Sequence, residues 1–187
     1  IRDIAAFEAT GLPFDCGPVA AAAMSCARKE DELVFGGAKA LGVAGLLSAK
    51  DTQSLKLRPW NEVGQAADDL IKAATLLDQQ GFHGPYTLAL APERYNLLFR
   101  RYSQGNQTEL EHVTRFITAG VVKAPAVKGG GVLLASGPQF ATIVLGQDLA
   151  ASFVGPAGRN YEFAVSETLA LRLVQPARLE MRVADHP

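Results

Sequence analysis

The feature that most constrains this chain is a change of hydrophobic period at Gly120. Ahead of it, apolar residues recur every three to four positions, the spacing of a helix with one buried face. After it they alternate or run in short blocks bounded by Gly and Pro, as in strands. Helices followed by strands, with no regular βαβ alternation, imply an α+β fold. The length of 187 residues fits one domain, or one with a lobed outline.

In the first half, Asp15 stands where an N-cap would, and Pro18 suits a first turn. From there Val19, Ala23, Cys26, Ala27, Leu33, Val34 and Leu41 form a helical stripe, with Arg28 to Glu32 expected as a solvated turn within it. Gly36-Gly37 weakens its end, and Gly42 to Leu47 leaves it. A second helix is clearer. Val63, Ala66, Ala67, Leu70, Ile71, Ala74 and Leu77 make one face, Gln65, Asp68, Asp69, Lys72 and Gln79 the other, and Gly81 is a natural stop. Thr87 to Ala91 is a short buried strand, Pro92 opens a helix through Tyr102, and residues 103–107 form a polar loop. Thr108-Glu109-Leu110-Glu111 has the spacing of a capping box, so a further helix is expected from there to Gly120.

In the second half, the apolar runs Gly131 to Ala135 and Phe140 to Leu145 flank Ser136-Gly137-Pro138 and read as a hairpin. Tyr161, Phe163, Val165, Leu169, Leu171 and Leu173 alternate as a long half-buried strand stopped by Pro176, and Leu179 to Val183 is a last strand.

Charge removes some classes of partner. The formal net charge is −1 and no third of the chain is basic, so the electrostatic footprint of a nucleic-acid binder is missing. No apolar run is long enough to span a bilayer, and no signal peptide is visible at Ile1. A chain that is 48% hydrophobic and 20% charged is neither intrinsically disordered nor a disulfide scaffold. Its two cysteines, Cys16 and Cys26, fit a reducing compartment.

No catalytic constellation emerges. His83, His112 and His186 lack metal-site spacing and read as surface or turn residues. Cys26 falls on the helical stripe as a core thiol. Gly129-Gly130-Gly131 precedes a strand rather than a helix, so it reads as a flexible turn and not a phosphate cradle. The carboxylate pairs Asp68/Asp69 and Glu109/Glu111 occupy solvated or capping positions. Trp60, the only tryptophan, reads as a packing anchor. No cofactor and no catalytic residue is expected, which favours a structural or binding role.

Several strings carry a resemblance. They are Gly84-Pro85-Tyr86-Thr87-Leu88-Ala89-Leu90, then Leu110-Glu111-His112 with Gly120-Val121-Val122-Lys123-Ala124-Pro125-Ala126-Val127, then Leu145-Gly146-Gln147-Asp148-Leu149, then Ser166 to Ala177. Glu32 to Gly37 and Gly45 to Ser48 also fit. In this order and spacing the chain resembles the encapsulins, also called linocin-like bacteriocins.

That resemblance implies a tailed-phage major-capsid fold, with a peripheral domain and spine helix at 1–58, an axial domain at 59–155, and strands returning to the peripheral domain at 156–187. It implies a cytoplasmic homo-oligomeric icosahedral shell. Such a shell encloses cargo enzymes that carry a targeting peptide, such as a dye-decolourising peroxidase or a ferritin-like protein, and engages neither nucleic acid nor membrane. Gln104, Gly105, Asn106 and Gln107 fall where the family places a loop near the fivefold pore, and their small neutral side chains imply weak selectivity. The family's N-terminal arm and extended loop would precede Ile1 and are expected to be missing from this chain. A phage or prophage major capsid protein is the neighbouring alternative, and a bacteriocin or peptidase a more distant one.

Overall fold

The computed structural model describes residues 2–11, 13, 15–50, 52–175 and 177–183. In chain order these form α1 (Arg2–Thr10), α2 (Gly17–Gly36), β1 (Gly37–Ala38), a 3-10 turn (Lys39–Leu41), β2 (Val43–Ala44), β3 (Gln53–Leu57), α3 (Gln65–Gln79), β4 (Tyr86–Leu90), α4 (Pro92–Leu97) and α5 (Glu109–Val113). β5 (Gly120–Lys123), β6 (Gly131–Ala135), β7 (Ala141–Ala157), β8 (Asn160–Leu173) and β9 (Arg178–Val183) follow. The fold is α+β, as expected. The described residues divide into two compact units, one drawing on residues up to Asp31 with Ile143–Ala170, the other on Glu32–Thr142 with Leu171 onward.

The second unit is built on a five-stranded mixed sheet in the order β3-β9-β6-β4-β5. β3 runs parallel to β9 and β4 parallel to β5, while β6 is antiparallel to both β4 and β9. The pleat sorts side chains by alternate residues. Tyr86, Leu88 and Leu90 of β4 face a core completed by Leu133, Leu179, Met181 and Leu57. Ala89 faces the other way, against Ala91, Ala124, Val127 and Val132. α3 covers the larger face with Ala66, Ala67, Leu70, Ala73, Ala74 and Leu77. Each fully buried leucine there contributes about 1.5–3 kcal/mol relative to exposure. The helix ends as its sequence requires. Gly81 takes φ 87°, the Gly81 N–H donates to Asp78 O at 2.9 Å, and the Phe82 N–H donates to Leu77 O at 3.0 Å, which is a Schellman closure.

Several local expectations give way to long-range pairing. The charged segment Arg28 to Glu32 is not a turn but lies inside α2, where Arg, Lys and Glu are good helix formers. Asp15 does accept the Gly17 N–H, at 2.7 Å, one residue ahead of the N-cap position. That helix stops at Gly36, short of Leu41, because Gly37 turns with φ 76° into β1. α4 ends at Leu97 and not Tyr102, because residues beyond it pair with the segment leading into α5. α5 ends at Val113, well before Gly120.

The expected hairpin around Ser136-Gly137-Pro138 does not form. β6 is an inner strand whose two edges are taken by β4 and β9, and residues 136–140 carry the chain into a different sheet. That second sheet is the long two-stranded hairpin β7–β8, turning at Gly158-Arg159. The Leu179 to Val183 strand is present as β9, inside the sheet and not at its edge. Pro176 lies outside the described residues.

Gly130 is fixed by backbone proximity. A Cβ at that position would stand 1.9 Å from Met181 O. The glycine triplet is thus a close approach between the entry to β6 and β9, rather than the flexible turn expected of it.

Candidate functional site

Residues 103–107 form an exposed finger whose base is tied at several levels. Arg101 and Thr108 make an isolated antiparallel bridge. Above it the Tyr102 N–H donates to Gln107 O at 3.1 Å, and below it the Glu109 N–H donates to Arg100 O at 3.0 Å. Gly105 takes φ 123°, a conformation that a side chain at the tip would strain. Gln104, Gly105 and Asn106 are exposed and Gln107 is half-buried. The structure therefore brings the four loop residues together on one projection. Arg101, which the sequence reading did not single out, joins them. Its guanidinium donates to the Asn106 side-chain carbonyl and, at 3.5 Å, to Asn106 O.

On the far side of the bridge the capping box forms as its spacing implies. Thr108 Oγ1 accepts the Glu111 N–H at 3.2 Å, and the Glu111 carboxylate accepts the Thr108 N–H at 2.6 Å. That backbone N–H, then the Thr108 hydroxyl, hold the Glu111 carboxyl below the usual carboxylate range, with further help from Arg101 and Arg115. Tyr102 Oη stands 2.9 Å from His112 Nδ1. Burial pushes the Tyr102 phenol up, and the negative charges of Glu109 and Asp68 push it further.

The finger is anchored to α3 through Glu109, whose side chain is fully buried. Gly64, at the N-cap of α3, has no side chain to cap the helix. Glu109 supplies one from a distance: Oε1 accepts the Gly64 N–H at 2.7 Å and the Ala67 N–H at 3.4 Å. Its other oxygen takes Arg100 at 3.2 Å. Arg100 Nη1 also donates to Trp60 O at 2.8 Å and to Asn61 O at 3.2 Å.

These contacts hold a strained segment. Trp60 is 1% exposed with φ 61°, a rare conformation for a bulky residue. Its indole N–H donates to Asp69 Oδ2 at 3.0 Å, and the Arg94 guanidinium carbon lies 4.9 Å from the ring centroid. Arg94 also donates to Arg58 O and Pro59 O, both at 2.9 Å, and burial lowers its pKa. Trp60 is thus a packing anchor. The carboxylate pairs, however, are not both solvated: Asp69 and Glu109 are buried, Asp69 bound to Trp60, nine residues back, and Glu109 to Gly64, 45 residues back.

His83 is exposed near Asp78, Cys16 is exposed, Cys26 is half-exposed and not the core thiol expected of it, and His186 lies outside the described residues. Among the described residues no three His, Cys, Asp or Glu side chains stand together as metal ligands, and no helix is long and apolar enough to cross a membrane.

Comparison with known proteins places this architecture. The capsid of myophage XM1 superposes with TM-score 0.74 at 14% identity, covering 98% of this chain and 69% of that one. A virus-like particle from Pyrococcus furiosus gives TM-score 0.73 at 24% identity, covering 83% and 63%. The fold is that of tailed-phage capsid proteins. In sequence, the type 1 encapsulin shell protein EncA of Myxococcus xanthus is 32% identical over 94% of this chain and 61% of its own length. A diheme-cytochrome-encapsulin shell fusion protein of Kuenenia stuttgartiensis is 31% identical over 94% and 48%. The chain thus spans about half to three-fifths of these relatives. The family profile described as "Encapsulating protein for peroxidase" matches residues 1–170, and with it the sequence, the fold and the relatives agree that this chain belongs to the encapsulin shell-protein family.

Proposed function

We propose that the chain is a subunit of an encapsulin nanocompartment, a cytoplasmic icosahedral cage that encloses cargo enzymes and acts through its surfaces rather than by catalysis. The observation that carries this is the apolar surface of the unit formed by α1, the start of α2 and the β7–β8 hairpin. α1 buries no residue at all. Val144, Leu145, Phe153, Val154 and Phe163 of the hairpin are all exposed, several by half or more. β7 and β8 hydrogen-bond only to each other among the described strands, so each presents an open edge. These residues alternate between the two faces of the hairpin, and apolar side chains exposed on both faces beside open edges mark an interface, which copies of the chain in a shell would cover.

The relatives support a class of cargo. One is a fusion with a diheme cytochrome and another, from Pyrococcus furiosus, a fusion with a ferritin-like protein. For this chain a redox or iron-handling enzyme, such as a dye-decolourising peroxidase or ferritin-like protein bearing a targeting peptide, is the fitting guest. Within the cage, Gln104 to Gln107 border the pore on the fivefold axis. Their exposure on one tied projection supports this.

Light scattering on a sizing column, applied to the full-length gene product, tests the reading. A single species of many tens of subunits is expected, and a monomer or dimer overturns it. The fold match to the XM1 capsid favours a second reading, a phage or prophage coat protein. Particles filled with DNA rather than protein would select that one.

A further inference from the structure

We infer that Arg101 sets the charge of the pore bordered by residues 103–107 and biases it toward small anions. The inference rests on the pore reading of that loop. Ser103, Gln104, Gly105, Asn106 and Gln107 carry no charge, so the field at the finger comes from what flanks it. Arg101 is exposed at the closing bridge and its guanidinium is tied to the finger itself, through the side-chain carbonyl and backbone O of Asn106. A cation on a flexible stem is thereby held at a set height on the loop instead of sampling solvent.

The neighbouring acids do not cancel it. The Glu109 carboxylate is buried and paired with Arg100. Glu111 binds the Thr108 N–H and hydroxyl and faces two cations, Arg101 and Arg115. Tyr102 and His112 hydrogen-bond each other on the α5 side of the bridge. Asp68, whose charge also reaches Tyr102, pairs with Arg58 at 3.3 Å, so Arg101 and Arg115 set against Glu111 leave the base of the finger one positive charge. Rotational symmetry about a pore repeats that charge as a ring, and rings of arginine favour anions in narrow passages. Such a field reaches about a Debye length, roughly 8–10 Å in ordinary buffer, and collapses in high salt.

The test uses closed particles of the full-length protein that trap a fluorescent dextran during reassembly. Stopped-flow quenching is followed with iodide, caesium and neutral acrylamide, each normalised to free dextran. The wild-type shell is expected to admit iodide faster than caesium. Raising inert salt to about 1 M should erase the difference. In Arg101→Gln the iodide-to-caesium ratio is expected to fall about threefold or more, and in Arg101→Glu to invert. Arg101→Lys keeps the charge and should keep the preference, with acrylamide entry unchanged throughout. Closed wild-type particles with no iodide preference overturn the inference alone. So does a ratio unchanged in Arg101→Gln, or lost equally in Arg101→Lys. Failure of the full-length protein to form a closed particle overturns the shell reading together with it.

Discussion

Glu109 caps a helix to which it does not belong: its carboxylate accepts the Gly64 N–H at 2.7 Å from a position 45 residues away. The same side chain carries Arg100, and Arg100 carries the backbone of Trp60. The base of the exposed finger and the start of α3 are therefore one hydrogen-bonded unit.

Removing that carboxylate should be costly. Glu109→Ala leaves the Gly64 N–H and the Arg100 guanidinium without their shared acceptor, and a loss of about 3–5 kcal/mol is expected. Glu109→Gln keeps an acceptor of the same shape and should lose less, about 1–3 kcal/mol. Urea denaturation of the purified chain separates the two, and equal midpoints for Glu109→Ala and the unmodified chain would show that the cap is dispensable.

Trp60, the only tryptophan, reports on the same network. Its burial predicts blue-shifted emission in the folded chain. Asp69→Ala removes the acceptor of the indole N–H and of Arg58, and should shift emission to the red while lowering stability by about 2–4 kcal/mol. Fluorescence read during denaturation measures both effects.

Gly130→Ala is expected to destabilise the sheet by at least about 1–3 kcal/mol, because the new methyl would overlap Met181 O and neither backbone can yield without breaking the β6–β9 ladder. Gly158→Ala, at the exposed hairpin turn where no atom crowds the position, bears only the cost of φ 60° and should lose about 1 kcal/mol. Thermal melts of both variants should rank them in that order.

The alkaline limit has an identifiable contributor. Burial first, and then the hydrogen bond to Asp78 at 2.6 Å, push the Tyr86 phenol well above the ordinary tyrosine range. A pKa raised in the folded state contributes stability that is complete below the unfolded value, near 10, and is lost as pH rises through the folded one. Stability should therefore fall above about pH 10 in the unmodified chain. In Tyr86→Phe that part of the decline should vanish. Tyrosinate absorbance, titrated against pH, should also lose its latest step in the variant.

Assembly is expected to depend on the apolar hairpin. Phe153 packs edge-on against both Tyr161 and Phe163, with ring centroids 5.6 Å apart in each pair, and remains exposed. Phe153→Lys in the full-length protein should leave helix and sheet content unchanged by circular dichroism while reducing particle yield. Particles formed at the unmodified yield would remove the hairpin from the interface.

What the sequence made legible was local. Most of the apolar face of α3, its stop at Gly81, and the Thr108–Glu111 capping box each rest on spacing or contacts within a few residues and stand in the structure, whereas Val63 and Ile71, read on that face, are exposed and Val63 precedes the helix. The exposed finger at 104–107 was visible for the same reason. β3 was not foreseen. Gln53 to Leu57 offers only two apolar residues, and its reason for being a strand is its partner β9. The inner position of β6 was hidden too, since its neighbours β4 and β9 come from distant segments. Asp69 and Glu109 looked like surface carboxylates because the groups they bind, Trp60 and Gly64, adjoin them only after folding. Arg101 was passed over because the finger was read as a neutral tetrapeptide, without the residue that closes it.

The place of β9 between β3 and β6 also orders events during synthesis. Until residues 178–183 emerge from the ribosome, β3 has no partner and β6 has one bare edge, so Leu57 and Leu133 lack the cover that Leu179 and Met181 provide. A nascent chain therefore carries its whole apolar hairpin before its sheet can close. Closure of the sheet is thus a late event of synthesis, and the faces of β3 and β6 stay uncovered until it happens.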